Sequence, residues 1–171
     1  ICSNPDVQQQ IVDAIQDLEQ LVIFSIETPT EKLEAILDKT ATKIKAKLLK
    51  NASHLSGWLI ALPEEKKEVV LKHVSAEILT LVGPMGRTFL HYAALEPELL
   101  KITLKFFYKD NQNRLEALIK KMDDDSLPPL AFAANNLECL EIALNSFGND
   151  NPSKLVAVTT EFGERGSLIG I

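Results

Sequence analysis

The sequence predicts an all-α fold built of helical repeats, and three observations predict it. Leu, Ile and Ala carry most of the 46% apolar content, while 171 residues include only 7 Gly and 6% aromatics, a balance that favours helices over sheets. Apolar residues recur at helical spacing along the chain. The chain also matches itself at offsets of thirty-three and forty residues, which is the mark of a repeat architecture.

The elements follow in order. Asn4 and Pro5 make an N-cap and first-turn pair, and Val7, Ile11, Ala14, Ile15, Leu18, Leu21 and Val22 line one face behind them. Thr28, Pro29, Thr30 and Glu31 announce a second helix through a capping box. Its apolar face is Leu33, Ile36, Leu37, Ile44, Leu48 and Leu49, and it is expected to end near Asn51. Lys39, Lys43, Lys47 and Lys50 fall at intervals of four, four and three along one side. That stripe reads first as a solvated face paired with the acidic first helix, and second as a surface for anionic lipid or an acidic partner.

From residue 53 the repeats take over. Ala61 to Val74 (ALPEEKKEVVLKHV) and Ala94 to Phe107 (ALEPELLKITLKFF) match Leu71 with Leu104 and Lys72 with Lys105. At an offset of forty, Leu90, Ala93, Ala94, Ile102 and Leu104 map onto Leu130, Ala133, Ala134, Ile142 and Leu144, and Leu115 and Leu118 onto Leu155 and Val158. One unit is expected to run as helices over 89–95, 97–108 and 114–122, the next over 130–135, 137–147 and 152–162. Ser75 to Val82 reads as a short third helix closed by Gly83. The organisation expected is a helical pair over 1–52 capping an array over 53–171 of about 40-residue units. The chain has no initiator Met, and Leu168, Ile169 and Ile171 mark where a next unit would begin, so it reads as an excised fragment.

Charge and motifs narrow the function. With 18 basic and 24 acidic residues the net charge is −6, so nucleic acid is not an expected partner. No apolar run approaches the roughly 20 residues a membrane span requires, and a route to a membrane surface runs only through the lysine stripe. Cys2 and Cys139 stand alone, without a paired-cysteine motif. Phosphate-loop, dinucleotide, zinc-protease and nucleophile-elbow patterns do not occur. His54 and His73 read as surface or helix-end residues, and Asp123, Asp124 and Asp125 as a solvated acidic turn lacking the ligand spacing of a calcium loop. Cys139 reads as core, and Asn51-Ala52-Ser53 as a chance sequon. No catalytic residue, cofactor or metal is expected.

Thr88, Phe89, Leu90, His91, Tyr92, Ala93 and Ala94 resemble the ankyrin-repeat signature T-P-L-H-x-A-A, and Pro129 to Ala134 followed by Asn136 to Leu140 resemble a second copy. Phe89 stands for the usual Pro, Ala131 for the usual His, and a helix replaces the hairpin finger, which lengthens the unit. The resemblance implies a non-catalytic module that binds another protein through a rigid surface. In it His91 and Thr88 bond turn backbone, and the residues at partner-facing positions are Trp58, Arg87, Phe89, Tyr92 and Phe132, with Ala131 beside the last. Similar divergent arrays occur in bacterial effector and host-interaction proteins, which implies a cytoplasmic or host-cytosolic setting. Two other readings stay open: the scaffold region of a larger enzyme, and a membrane-surface adaptor using Lys39 to Lys50.

Overall fold

The computed structural model describes residues 17–48, 51–78, 81–110 and 112–148, together with Gln10 and Ile15. These are mostly helical and contain no strand. The chain divides into two compact units, residues 1–84 and 85–171, so the boundary expected after residue 52 falls inside the first unit.

The first unit holds α1 (Leu18–Glu27), α2 (Thr30–Leu48), α3 (Ala52–Ala61) and α4 (Glu64–Ile78). Asp17 starts α1, its Oδ1 accepting the Gln20 amide at 2.9 Å. That is a local signal stronger than the continuing apolar pattern, and the earlier start at Pro5 lies outside the described residues. Thr28 closes α1, its amide donating to the Phe24 carbonyl at 3.0 Å, and α2 begins just beyond Pro29. Asn51 caps α3 by accepting from the His54 amide at 3.0 Å and the Ser53 hydroxyl at 2.7 Å. The sequon residue is therefore a helix start. α4 continues through Ile78, which places Ser75 to Ile78 on that helix rather than on a separate one.

α2 packs along α4, and α3 packs on both α1 and α4. Leu21, Leu37, Leu55, Leu59 and Leu71 form the interior with Trp58, which has no exposed surface. Polar groups tie three helices at one point. The Trp58 indole N–H donates to Ser25 Oγ at 3.0 Å, and Ser25 Oγ donates to the Leu21 carbonyl at 2.7 Å. Lys66 of α4, itself buried, donates to the carbonyls of Ser25 and Ile26 at 3.0 and 2.5 Å. A cation here meets the unsatisfied carbonyls and the negative end of the α1 dipole, so its burial is compensated.

The second unit begins at Met85, inside a 3₁₀ turn (Pro84–Gly86), and continues with α5 (Phe89–Ala93), α6 (Pro97–Asp110) and α7 (Gln112–Ile119). A loop leads to a 3₁₀-helix at Pro129–Asn135 and then to α8 (Leu137–Gly148). α5 packs on α6 and on the 3₁₀-helix, α6 also packs on α7 and α8, and α8 closes against the 3₁₀-helix. Asn136 caps α8 through its side-chain oxygen, which accepts the Glu138 amide at 3.0 Å. Phe89, Leu90, Ala93, Ala94, Leu100 and Phe107 are fully enclosed. α5 and the 3₁₀-helix therefore sit at 89 and 129, and α6 and α8 start at 97 and 137. The helix expected over 152–162 lies outside the described residues.

Candidate functional site

The described residues bring the signature segment and the acidic loop together within the second unit. The Thr88 amide donates to His91 Nδ1 at 3.0 Å, and Thr88 Oγ1 stands 2.9 Å from the same nitrogen. Because Nδ1 accepts a backbone N–H, the ring proton resides on Nε2, which donates to the Leu127 carbonyl at 3.1 Å. His91 is fully buried, and burial is the main cause that pushes its pKa below the usual histidine range. The neutral ring is thus the one the fold requires.

Asp123 organises the loop. Its Oδ1 accepts the amides of Asp125 at 3.0 Å and Leu127 at 2.8 Å, and its own amide donates to the Leu127 carbonyl at 3.0 Å. Its side chain is 0% exposed. The first member of the acidic run is therefore an interior bracket, contrary to the solvated turn expected; Asp124 and Asp125 remain exposed. Arg87 Nε lies 3.5 Å from Asp123 Oδ2, and its guanidinium carbon sits 4.8 Å from the centre of the Phe132 ring. Phe132 also packs against the His91 ring in a T-shaped contact, with ring centres 5.5 Å apart and planes at 79°. Arg87 is held from two sides, with 27% of its side chain exposed.

Backbone geometry locks the same region. Met85 and Gly86 both have positive φ, 60° and 69°, and the Met85 carbonyl accepts the Asp124 amide at 2.9 Å. A Cβ placed on Gly86 would collide with the Asp124 carboxylate, so this glycine answers both a left-handed conformation and a close approach. Ser126, forty residues on, has φ 60°.

The expected partner-facing residues separate into two groups. Trp58 and Phe89 lie wholly in the interior, and Phe132 is 9% exposed. These three, and buried Ala131, hold the fold and offer no face to a partner, which corrects the expectation for them. Their apolar bulk is what draws them inward, and sequence spacing alone does not separate an interior aromatic from an anchoring one. Arg87 and Tyr92 are half-buried and reach the surface. Burial of Tyr92 raises its hydroxyl pKa. In the stripe, Lys39 is exposed on α2, while the side chains of Lys43 and Lys47, and Lys50 altogether, lie outside the described residues.

Elsewhere, His73 is nearly enclosed on α4 rather than at a surface or helix end, with Nδ1 3.5 Å from Asp38 Oδ1 and Nε2 without a hydrogen-bond partner among the described residues. Beside it Lys72 meets Glu34 at 2.7 Å across α4 and α2; the hydrogen bond and charge of each lower the Glu34 pKa and raise that of Lys72. Cys139 is a buried free thiol whose pKa is raised by burial. Among the described residues no three His, Cys, Asp or Glu side chains gather in a way that would hold a metal ion. No described helix is long and apolar enough to cross a membrane. Compared with family models, curated proteins and solved structures, the chain shows no match.

Proposed function

We propose that the chain is a non-catalytic protein-interaction module whose second unit is an ankyrin-like pair of helical repeats. The observation that carries this reading is the bond from His91 Nε2 to the Leu127 carbonyl, because it ties the signature segment of one unit to the equivalent loop of the next. Three correspondences at an offset of forty support it: helix starts at 89 and 129, helix starts at 97 and 137, and left-handed Gly86 and Ser126. Where the second copy departs, it departs consistently. Pro128 has no N–H to offer, and the residue three positions on is Ala131, which has no acceptor.

In this reading the units order one another, and the surface they hold is presented without a folding cost at binding. Tyr92 and the exposed part of Arg87 contribute to it from the first segment, and exposed Ala134 from the second. The test is quantitative affinity capture with the wild-type chain and with Tyr92→Ser/Ala134→Arg, helicity being followed in parallel. A protein retained by the wild type and lost by the variant at unchanged helicity supports the surface. Identical capture by both chains removes it.

A further inference from the structure

α1 is apolar on two sides. Leu21 and Ser25 face the interior, while Ile23 and Ile26, 48% and 43% exposed, lie on the far side with half-buried Val22 next to them. Single exposed isoleucines are ordinary, but here two share one stripe on a helix whose other face already forms the core. The rim of this stripe is acidic. Glu19 lies four residues before Ile23, and Glu27 directly follows Ile26; both are exposed, and neither makes an ion pair among the described residues. The cation bound to α1, Lys66, is buried and donates to the Ser25 and Ile26 carbonyls, so it does not neutralise the outer face. No Lys or Arg occurs in the first thirty residues.

We infer that the outer face of α1 docks a basic amphipathic helix of a partner protein, its apolar side on Val22, Ile23 and Ile26 and its Lys or Arg side chains on Glu19 and Glu27. The two carboxylates stand eight residues apart, about 12 Å or two turns, which suits cations two turns apart on a helix laid alongside. Charge selects this occupant over the others. An anionic membrane surface is repelled by the two glutamates, and a two-fold contact of α1 with α1 from a second copy sets glutamate against glutamate. The inference rests on the proposed interaction role only in taking the partner to be a protein, and it uses the other unit.

The experiment measures binding of a short amphipathic Leu/Lys helix peptide to the full chain by fluorescence anisotropy, with a Leu/Glu peptide as counterpart and helicity checked for every variant. Wild type is expected to bind the Leu/Lys peptide and not the Leu/Glu one. Ile23→Ser/Ile26→Ser is expected to weaken binding about ten-fold, as two half-exposed isoleucines stop contributing. Glu19→Lys/Glu27→Lys is expected to reverse the preference. Glu98→Lys/Glu141→Lys changes the net charge equally at exposed sites on α6 and α8 and is expected to leave affinity within about two-fold, since neither charge belongs to α1. Equal binding after the α1 changes, or equal loss from the α6 and α8 changes, overturns the inference. So does a dimer in sedimentation that dissociates with Ile23→Ser/Ile26→Ser, or adsorption to phosphatidylserine vesicles that the same variant abolishes. Tyr92→Ser/Ala134→Arg is expected to leave peptide binding unchanged, which separates this surface from the one on the second unit.

Discussion

The Thr88 amide donates to His91 Nδ1 at 3.0 Å, and through that bond a helix start and a loop thirty-six residues away are set together. With Nδ1 committed as acceptor, Nε2 carries the proton that the Leu127 carbonyl receives. A protonated imidazole has no acceptor and would turn an N–H toward the Thr88 N–H.

Stability is therefore expected to fall in mild acid. His91 has a folded-state pKa below its ordinary value near 6.5, chiefly through burial. Its contribution is fully present above the unfolded pKa, and it is lost as pH falls from there through the lower folded pKa, because the unfolded chain takes the proton first. Urea unfolding between pH 7.5 and 5.5 measures this, with His91→Gln expected to flatten the dependence. A wild-type curve that is level across that window, or identical in the variant, contradicts it.

His91→Ala removes the acceptor for Thr88 and the donor for Leu127. It is expected to cost on the order of 2–4 kcal/mol at neutral pH, from buried groups left unpaired plus a small cavity. Chemical denaturation monitored by far-ultraviolet circular dichroism reads the change.

Gly86→Ala is expected to destabilise by about 2 kcal/mol, since φ is +69° and the new methyl meets the Asp124 carboxylate. Met85→Gly at the neighbouring left-handed position should be neutral or stabilising, because strain relief offsets the added chain entropy. Opposite signs for the two substitutions in thermal melts check both at once.

Asp123→Ala should loosen the loop by about 2 kcal/mol, as two amides lose their acceptor and Arg87 loses its partner. Asp123→Asn keeps an oxygen for those amides and is expected to recover roughly half of that loss. Amide exchange at Asp125 and Leu127 resolves the two variants residue by residue.

Lys66→Met is expected to cost about 1–2 kcal/mol, because the α1 carbonyls lose their donor and the helix dipole its counter-charge. Removal of the exposed Lys72 amine should leave the urea midpoint unchanged despite its short contact with Glu34. If the two substitutions are equally costly, the distinction drawn between enclosed and exposed cations fails.

What the sequence reveals depends on the range over which its signals act. The Thr88 and His91 pairing and the start of α8 at Leu137 are local, each readable within a few residues, while the all-helical class is legible in the composition of the whole chain. Asp123 is not: a run of three acids reads as solvated, and only the reciprocal bonds with Leu127 and the approach of Arg87 show that the first of them turns inward. His73 likewise depends on α2 lying along α4. Family register marks positions as partner-facing, but it does not say whether an aromatic there faces outward. Trp58, Phe89 and Phe132 were drawn into the interior by bulk that the surrounding helices enclose. One clue was present in the letters: Pro128 and Ala131 depart together from the pattern of Thr88 and His91, because an N-cap without N–H gives a histidine three residues later nothing to accept.

Trp58 carries a further consequence. The sequence contains a single tryptophan, and it sits enclosed in the first unit with its indole N–H bonded to Ser25. Its emission is a native optical probe of residues 1–84 alone, blue-shifted while the Ser25 bond and the surrounding leucines hold and red-shifted once they open. The second unit contributes tyrosine light only, from Tyr92 and Tyr108. Recorded side by side, the two signals give each unit its own melting curve without any label being attached.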